Sequence, residues 1–352
     1  MLRQQQLTEW LFNQFINETF TIAPASADAS FRRYFRITFT KTARPTDYSA
    51  SDNFTETGRH STLIVMDAPP QLEDCSPFLN IAKLFEAAGV HVPHIYSQDL
   101  NRGFLLLSDL GNTTYLQALQ EQVELAQELY GAATDALIKI QLASHAGELP
   151  PYDDALLLRE MRLFTDWYIG KHLNVTLTDK QHADLEAIFA RILANNLAQP
   201  RVYVHRDYHS RNLMISEPNP GILDFQDAVY GPITYDLASL FKDAYICWEE
   251  AETLDWLIRY WEKARKAKLP VADDFSCFYR DYEWMGVQRH LKILGIFARL
   301  NYRDGKDGYM KDMPLVMAYL RTACARYIDL KPLLNLLDTL EARNITTTGY
   351  TF

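Results

Sequence analysis

Apolar residues recur at helical spacing at the start of the chain, where Leu7, Trp10, Leu11, Phe15 and Ile16 share one face, and this predicts a helix over 2–19. The pattern then changes to strand-like runs. Residues 31–39 and 61–66 read as strands, separated by a polar stretch at 41–60 rich in Thr, Ser, Asp and Asn that reads as a solvated hairpin loop. A helix over 76–88, stopped by Gly89, precedes two short strands near 94–98 and 103–108. From there the pattern is helical: 122–145, 153–172, 178–197, 233–245, 250–267, 274–303 and 312–329, interrupted by short apolar runs at Val202-Tyr203-Val204 and Gly221-Ile222-Leu223. The reading is an α+β chain with a small sheet-rich N-lobe at 1–107, a hinge at 108–112, a large helical C-lobe at 113–343 and a fraying tail at 344–352.

Composition narrows the function. The 352 residues suit two lobes, and 48% hydrophobic residues suffice for both cores. A formal charge of -10 argues against a nucleic-acid partner. No apolar run is long enough to span a membrane, and the N-terminus is not that of a secretory signal, so the expected compartment is the cytoplasm. Cys75, Cys247, Cys277 and Cys324 show no metal-ligand spacing and read as reduced thiols. No heptad or exposed-edge pattern argues for a dimer, and the chain is read as a monomer.

The chemistry is concentrated in two segments. Residues 205–212 place His205, Asp207 and Asn212 in the order H-x-D-x-x-x-x-N, and Asp224 follows the apolar run ending at Leu223. Phosphoryl transfer from a nucleotide needs a carboxylate to take the proton of the attacking hydroxyl, and an amide oxygen plus a second carboxylate to hold magnesium against the phosphates. Asp207 is thus the candidate base, and Asn212 and Asp224 the candidate Mg2+ ligands. His205 reads as a buried residue ordering the loop. Asp236 reads as a structural acid at a helix start, where free backbone N–H groups favour it. Asp227 is assigned to the sugar, to a second metal or to the loop.

No Ala-Pro-Glu segment or activation loop follows Asp224, so the chain is unlike a eukaryotic protein kinase. It resembles the aminoglycoside phosphotransferase and choline kinase superfamily, which implies a protein-kinase-like two-lobe fold and a small-molecule acceptor. The blocks at 26–36, 65–70, 103–107, 204–208, 223–232 and 286–292 look like those of bacterial anomeric N-acetylmuramate/N-acetylglucosamine kinases. That resemblance implies ATP-dependent phosphorylation of the C1 hydroxyl of a salvaged cell-wall amino sugar. Other small-molecule kinases, for aminoglycosides, choline or similar amines, and a silent nucleotide-binding module remain alternatives.

Two departures from the superfamily stand out. The segment Ser26-Ala-Asp-Ala-Ser30 has no glycine where phosphates are usually covered, leaving small side chains and the Ser30 hydroxyl. Met66 stands where a phosphate-binding lysine is usual, which turns attention to Arg32, Arg33 and Arg36; strand alternation puts Arg33 opposite the other two. Leu105 and Leu107 are expected to supply apolar surface to the adenine. For the sugar, the basic stripe containing Arg289 and Lys292, with His290 beside it, is the expected source of a cation for a lactyl carboxylate. Gln288 falls on the neighbouring apolar face and is a further substrate candidate. Trp167, two turns beyond Glu160, reads as core.

Overall fold

The computed structural model describes residues 2–27, 31–43 and 60–348. Ser30 and most of the polar stretch at 41–60 lie outside the described residues. Those described form two compact units: the chain up to Thr113 together with Met214–Asp227, and Thr114–Leu213 together with the chain from Ala228 onward. The expected helical lobe is therefore interrupted by a short segment that groups with the first unit.

The first unit contains α1 (Leu2–Gln14), β1 (Phe20–Ala27), β2 (Arg33–Ala43), β3 (His60–Asp67), α2 (Ser76–Ala87), β4 (Ile95–Asp99) and β5 (Phe104–Ser108). The strands form one antiparallel sheet in the order β1-β2-β3-β5-β4. Leu7, Trp10, Leu11 and, just past the helix, Phe15 pack against Ile37, Phe39, Leu63, Val65, Phe104 and Leu106, so α1 covers one sheet face. By alternation Met66, Leu105 and Leu107 belong to the opposite face. Two expectations are corrected here. Helix α1 ends at Gln14, which leaves Ile16 exposed. The strand β1 was not expected, because Pro24 and a run of small residues break its apolar alternation. As an edge strand with an irregularity between Pro24 and Ser26 it tolerates both.

The second unit opens with α3 (Tyr115–Glu121), capped by Thr114 in a capping box with Gln117. Then come α4 (Ala126–Leu142) and α5 (Asp154–Leu163), which runs on as a π-helix over Phe164–His172, and α6 (Asp179–Leu197). β6 (Arg201–Val204) follows; β7 (Leu213–Met214), at the boundary, pairs with β8 (Gly221–Ile222) of the segment that groups with the first unit. β9 (Val229–Pro232) pairs antiparallel with β6. The rest is helical: α7 (Tyr235–Phe241), α8 (Glu250–Lys266), α9 (Phe275–Asp304), a 3-10 segment Asp307–Asp312, α10 (Met313–Arg326) and α11 (Lys331–Thr348). The last helix was not expected, and it keeps a helical backbone through the start of the segment expected to fray. All four cysteines are free, and no described helix is long and apolar enough to cross a membrane.

Helix α9 is the axis of this core. Trp284, Val287, Leu291, Leu294 and Ala298 pack against Phe189 and Ile192 of α6, Val316 and Leu320 of α10, and Leu333 and Leu337 of α11. Gly295 lets α9 approach the end of α5: a Cβ there would lie 2.3 Å from the carbonyl carbon of Leu163 and 2.5 Å from its oxygen. The obstacle is backbone, which cannot swing aside. Gly295→Ala should therefore destabilise the protein by about 1–3 kcal/mol, the usual cost of overpacking. Urea denaturation would show a lower midpoint, whereas an alanine at the open Gly131 should not lower it.

Candidate active site

The strand β6 delivers the chain to a short loop whose backbone is held by side chains from around it. Asp236, in the first turn of α7, accepts from the backbone N–H of His205 at 2.7 Å and of Arg206 at 3.0 Å. Burial pushes its carboxyl up, against those two N–H groups, to about 7. His205 is buried, and its Nδ1 lies 3.2 Å from the Asp207 N–H, which donates to it. The Tyr208 hydroxyl donates to the Ala133 carbonyl at 2.8 Å, and Asp243 accepts from both the N–H and the hydroxyl of Ser210. Asn212 closes the loop by donating from Nδ2 to the Asp207 carbonyl at 2.9 Å. Arg206 is at φ +77°, a backbone region that a long side chain rarely adopts. Such strain persists only where surrounding bonds impose it, and here the Asp236 clamp does so.

Asp207 remains accessible, with 39% of its side chain exposed. Desolvation pushes its pKa up, but Lys292, then Arg289, His209 and Arg206, outweigh this and hold it at about 2. Arg289 Nη1 lies 4.0 Å from Asp207 Oδ1. The carboxylate is thus ionised at neutral pH and able to accept a proton.

Those cations are organised by Glu160 of α5. Its buried carboxylate meets Arg206 Nη2 at 2.6 Å, Lys292 Nζ at 3.2 Å and Gln288 Nε2 at 3.2 Å, and accepts the Tyr152 hydroxyl. Lys292 and Arg289 also donate to the Tyr235 hydroxyl, at 3.0 and 3.3 Å, and Arg289 donates to the Arg206 carbonyl at 2.8 Å. On the basic stripe of α9, expected to supply a cation to the sugar, Arg289 and Lys292 are buried, at 4% and 6% exposed. Gln288, expected on the apolar side of the helix, faces the same cluster. His290 does not. Its ring stacks on Tyr319 and its Nε2 lies 3.3 Å from the Lys242 carbonyl, while burial, then the Lys242 charge, lowers its pKa to about 3.

In the first unit, Asp224 is at φ +62° and accepts from Gln226 Nε2 at 2.8 Å. Arg32 lies 4.0 Å from its Oδ1. Arg33 pairs with the buried Asp67, which also accepts from Arg3 at 2.8 Å. Arg36 is held by Asp109 at 2.6 Å and donates to the Gly111 carbonyl at 2.9 Å. Met66, Leu105 and Leu107 are buried, and Asp227 is exposed.

Sequence reasoning noted Glu160 only as lying on an earlier helix, and it gave Arg206, Tyr152, Tyr235 and Asp243 no role. An acid in a helix that already mixes charged and apolar residues is a faint signal. Its partners are the nearby Tyr152 and groups from two distant segments, the loop after β6 and α9, and no local pattern joins them.

Residues 21–274 match the phosphotransferase enzyme family. A Neisseria meningitidis serogroup B protein named N-acetylmuramate/N-acetylglucosamine kinase is 48% identical across 100% of both chains. A Pseudomonas aeruginosa protein of the same name is 50% identical, covering 91% of this chain and 88% of its own. Among solved structures, a choline/ethanolamine kinase family protein from Mesorhizobium loti superposes with a TM-score of 0.60 at 13% identity, covering 95% of this chain and 98% of that one. The fold is that of the protein-kinase-like phosphotransferases.

Removing a cation from beside Asp207 should let desolvation raise its pKa. Lys292→Met, which leaves Glu160 its pair with Arg206, should shift the Asp207 carboxyl up from about 2 by about 1–3 units. The sign follows from the charge, since a lysine favours the ionised acid. NMR titration of the carboxyl carbon reads the shift, and an unchanged midpoint would remove Lys292 from the field at Asp207.

Proposed function

This chain belongs to the phosphotransferase enzyme family, and we propose that it transfers the γ-phosphoryl group of ATP to the free C1 hydroxyl of N-acetylmuramate and N-acetylglucosamine. The single observation that carries the reading is an ionised, accessible Asp207 on a clamped loop, in a chain 46–50% identical to kinases named for those sugars. The product, a sugar 1-phosphate, fits salvage of cell-wall amino sugars.

The anomeric hydroxyl is more acidic than the others of a sugar, so a carboxylate can assist its attack. Asp207 takes that proton. Holding it ionised through Lys292 and Arg289 keeps the base ready at neutral pH, and the backbone clamp fixes its position. Asn212 and Asp224 are assigned as oxygen ligands of magnesium. Among the described residues no three His, Cys, Asp or Glu side chains gather as a metal cage. Magnesium takes one or two protein oxygens together with phosphates and water, so one amide oxygen and one carboxylate suffice. The Asn212 amide nitrogen is engaged with the Asp207 carbonyl, which turns the amide oxygen away from that bond. The bound ion supplies charge neutralisation at the phosphates.

The cation that replaces the lysine missing at Met66 is assigned to Arg32. Arg33 and Arg36 hold Asp67 and Asp109, whereas Arg32 extends toward Asp224. Leu105 and Leu107 are assigned to the adenine.

Arg32→Ala should raise the Michaelis constant for ATP while Arg33→Ala mainly lowers thermal stability. Equal ATP kinetics in Arg32→Ala and the unsubstituted enzyme would move the cation elsewhere. For the reaction itself, Asp207→Asn should cut turnover by about 10²–10⁴-fold with nucleotide binding retained. Phosphorus–carbon correlated NMR should place the new phosphate on C1, and a methyl glycoside, lacking that hydroxyl, should be inert. Brisk turnover of the glycoside would sink the reading.

A further inference from the structure

Three of the arginines and lysines around the catalytic loop are tied into internal bonds. Arg206 holds Glu160, Lys292 holds Glu160 and Tyr235, and Arg289 holds the Arg206 carbonyl and Tyr235. Arg211, on the same loop and next to Asn212, is different. Its guanidinium lies flat over the Tyr245 ring, 3.5 Å from the centroid, with the Tyr309 ring at 6.0 Å. Among the described residues it has no hydrogen bond and no ion pair. A guanidinium stacked on a ring keeps its donor fork clear of the ring face, in its own plane, and ordered in advance.

Its surroundings are those of a sugar subsite. Tyr245 and Tyr309 both pack against Phe297 of α9, with centroids at 6.3 and 5.2 Å, and present an aromatic wall. Asp312, at the end of the 3-10 segment after α9, has a buried Oδ2 with no hydrogen-bond partner. Neither nearby acid neutralises Arg211 directly. Asp243 is held by Ser210 and by the Tyr245 N–H at 3.0 Å. Burial pushes the Asp312 carboxyl up from its usual range, with Arg211 the largest opposing influence. Two acids close by also make this a poor place for a polyphosphate and a better one for a singly charged group.

We propose that Arg211 is the specificity residue for the lactyl carboxylate of N-acetylmuramate, receiving it on the outward edge of the guanidinium stacked on Tyr245. The inference rests on the sugar-kinase reading above. It gives the two acceptors different contacts in one site, since N-acetylglucosamine has the ring and the acetamido group but no carboxylate. Arg211 does not take part in the proton transfer at C1.

The test compares both sugars with the full-length enzyme and its Arg211→Gln and Arg211→Lys variants. Losing a charge-assisted hydrogen bond to a carboxylate should raise KM for N-acetylmuramate about ten- to a hundredfold in Arg211→Gln. KM for N-acetylglucosamine and for ATP should stay within about twofold of the unsubstituted enzyme, below one such bond. Arg211→Lys, which keeps the charge without the fork, should fall between. A rise in KM for ATP would make Arg211 a phosphate contact, and an equal loss with both sugars would make it structural; either overturns the proposal. Failure of the unsubstituted enzyme to phosphorylate N-acetylglucosamine would instead overturn the reading of function, and this inference with it.

Discussion

Glu160 carries a full charge in the interior of the helical unit, and an ion so placed is tolerated only where other charges and donors surround it. Four groups do so: Arg206 from the loop after β6, Lys292 and Gln288 from α9, and Tyr152 from just before α5. The buried acid therefore ties three distant stretches of chain to one point. Its pKa is raised by burial but lowered further by Lys292 and Arg206, so it stays ionised and the clamp stays closed at neutral pH. Removing it would leave two buried cations without their anion, which costs more than the net worth of any one pair.

The same network sets the chemistry of Asp207. With Lys292 and Arg206 fixed by Glu160, and Arg289 fixed by Tyr235 and the Arg206 carbonyl, positive charge surrounds the Asp207 carboxylate at a short remove, with Arg289 Nη1 at 4.0 Å. A close pair would block the carboxylate, whereas charge at a short remove keeps it ionised and open. Asp236 solves the matching backbone problem. Arg206 is forced to positive φ so that its side chain turns inward to Glu160 while Asp207 turns outward, and the two N–H groups exposed by that bend are taken by one buried carboxylate.

The sheet-rich unit shows an analogous device in simpler form. Asp67, at the end of β3, is buried and held by Arg33 from β2 and Arg3 from α1, which pins the helix to the sheet face it covers. That pairing of Arg33 with Asp67 is what separates it from Arg32, one residue earlier and just before the strand. Alternation alone predicts that the two point apart; only the tertiary structure shows that Arg33, though half exposed, caps the buried Asp67, while the more buried Arg32 lies near Asp224.

What the amino-acid order determined by itself is whatever depends on neighbours along the chain. The period of apolar residues marks β3, α6 and most of α9, and the spacing of Asp207, Asn212 and Asp224 is readable because one short loop and one strand end carry them. The edge strand β1 was hidden because its Pro24 and small residues carry little apolar alternation, and α11 was passed over although Leu330, Leu333, Leu337 and Leu340 fall at helical spacing and are buried. The tertiary structure alone decided the charges. A basic stripe on α9 reads as solvated in isolation, since burying a cation is unfavourable, and only the approach of α5 with Glu160 and of the catalytic loop makes burial the stable outcome. Likewise nothing local separates Arg211 from Arg206. Arg206 finds a buried anion within reach and Arg211 finds two tyrosine rings, because the fold brings α5 to Arg206 and the segment after α9 to Arg211.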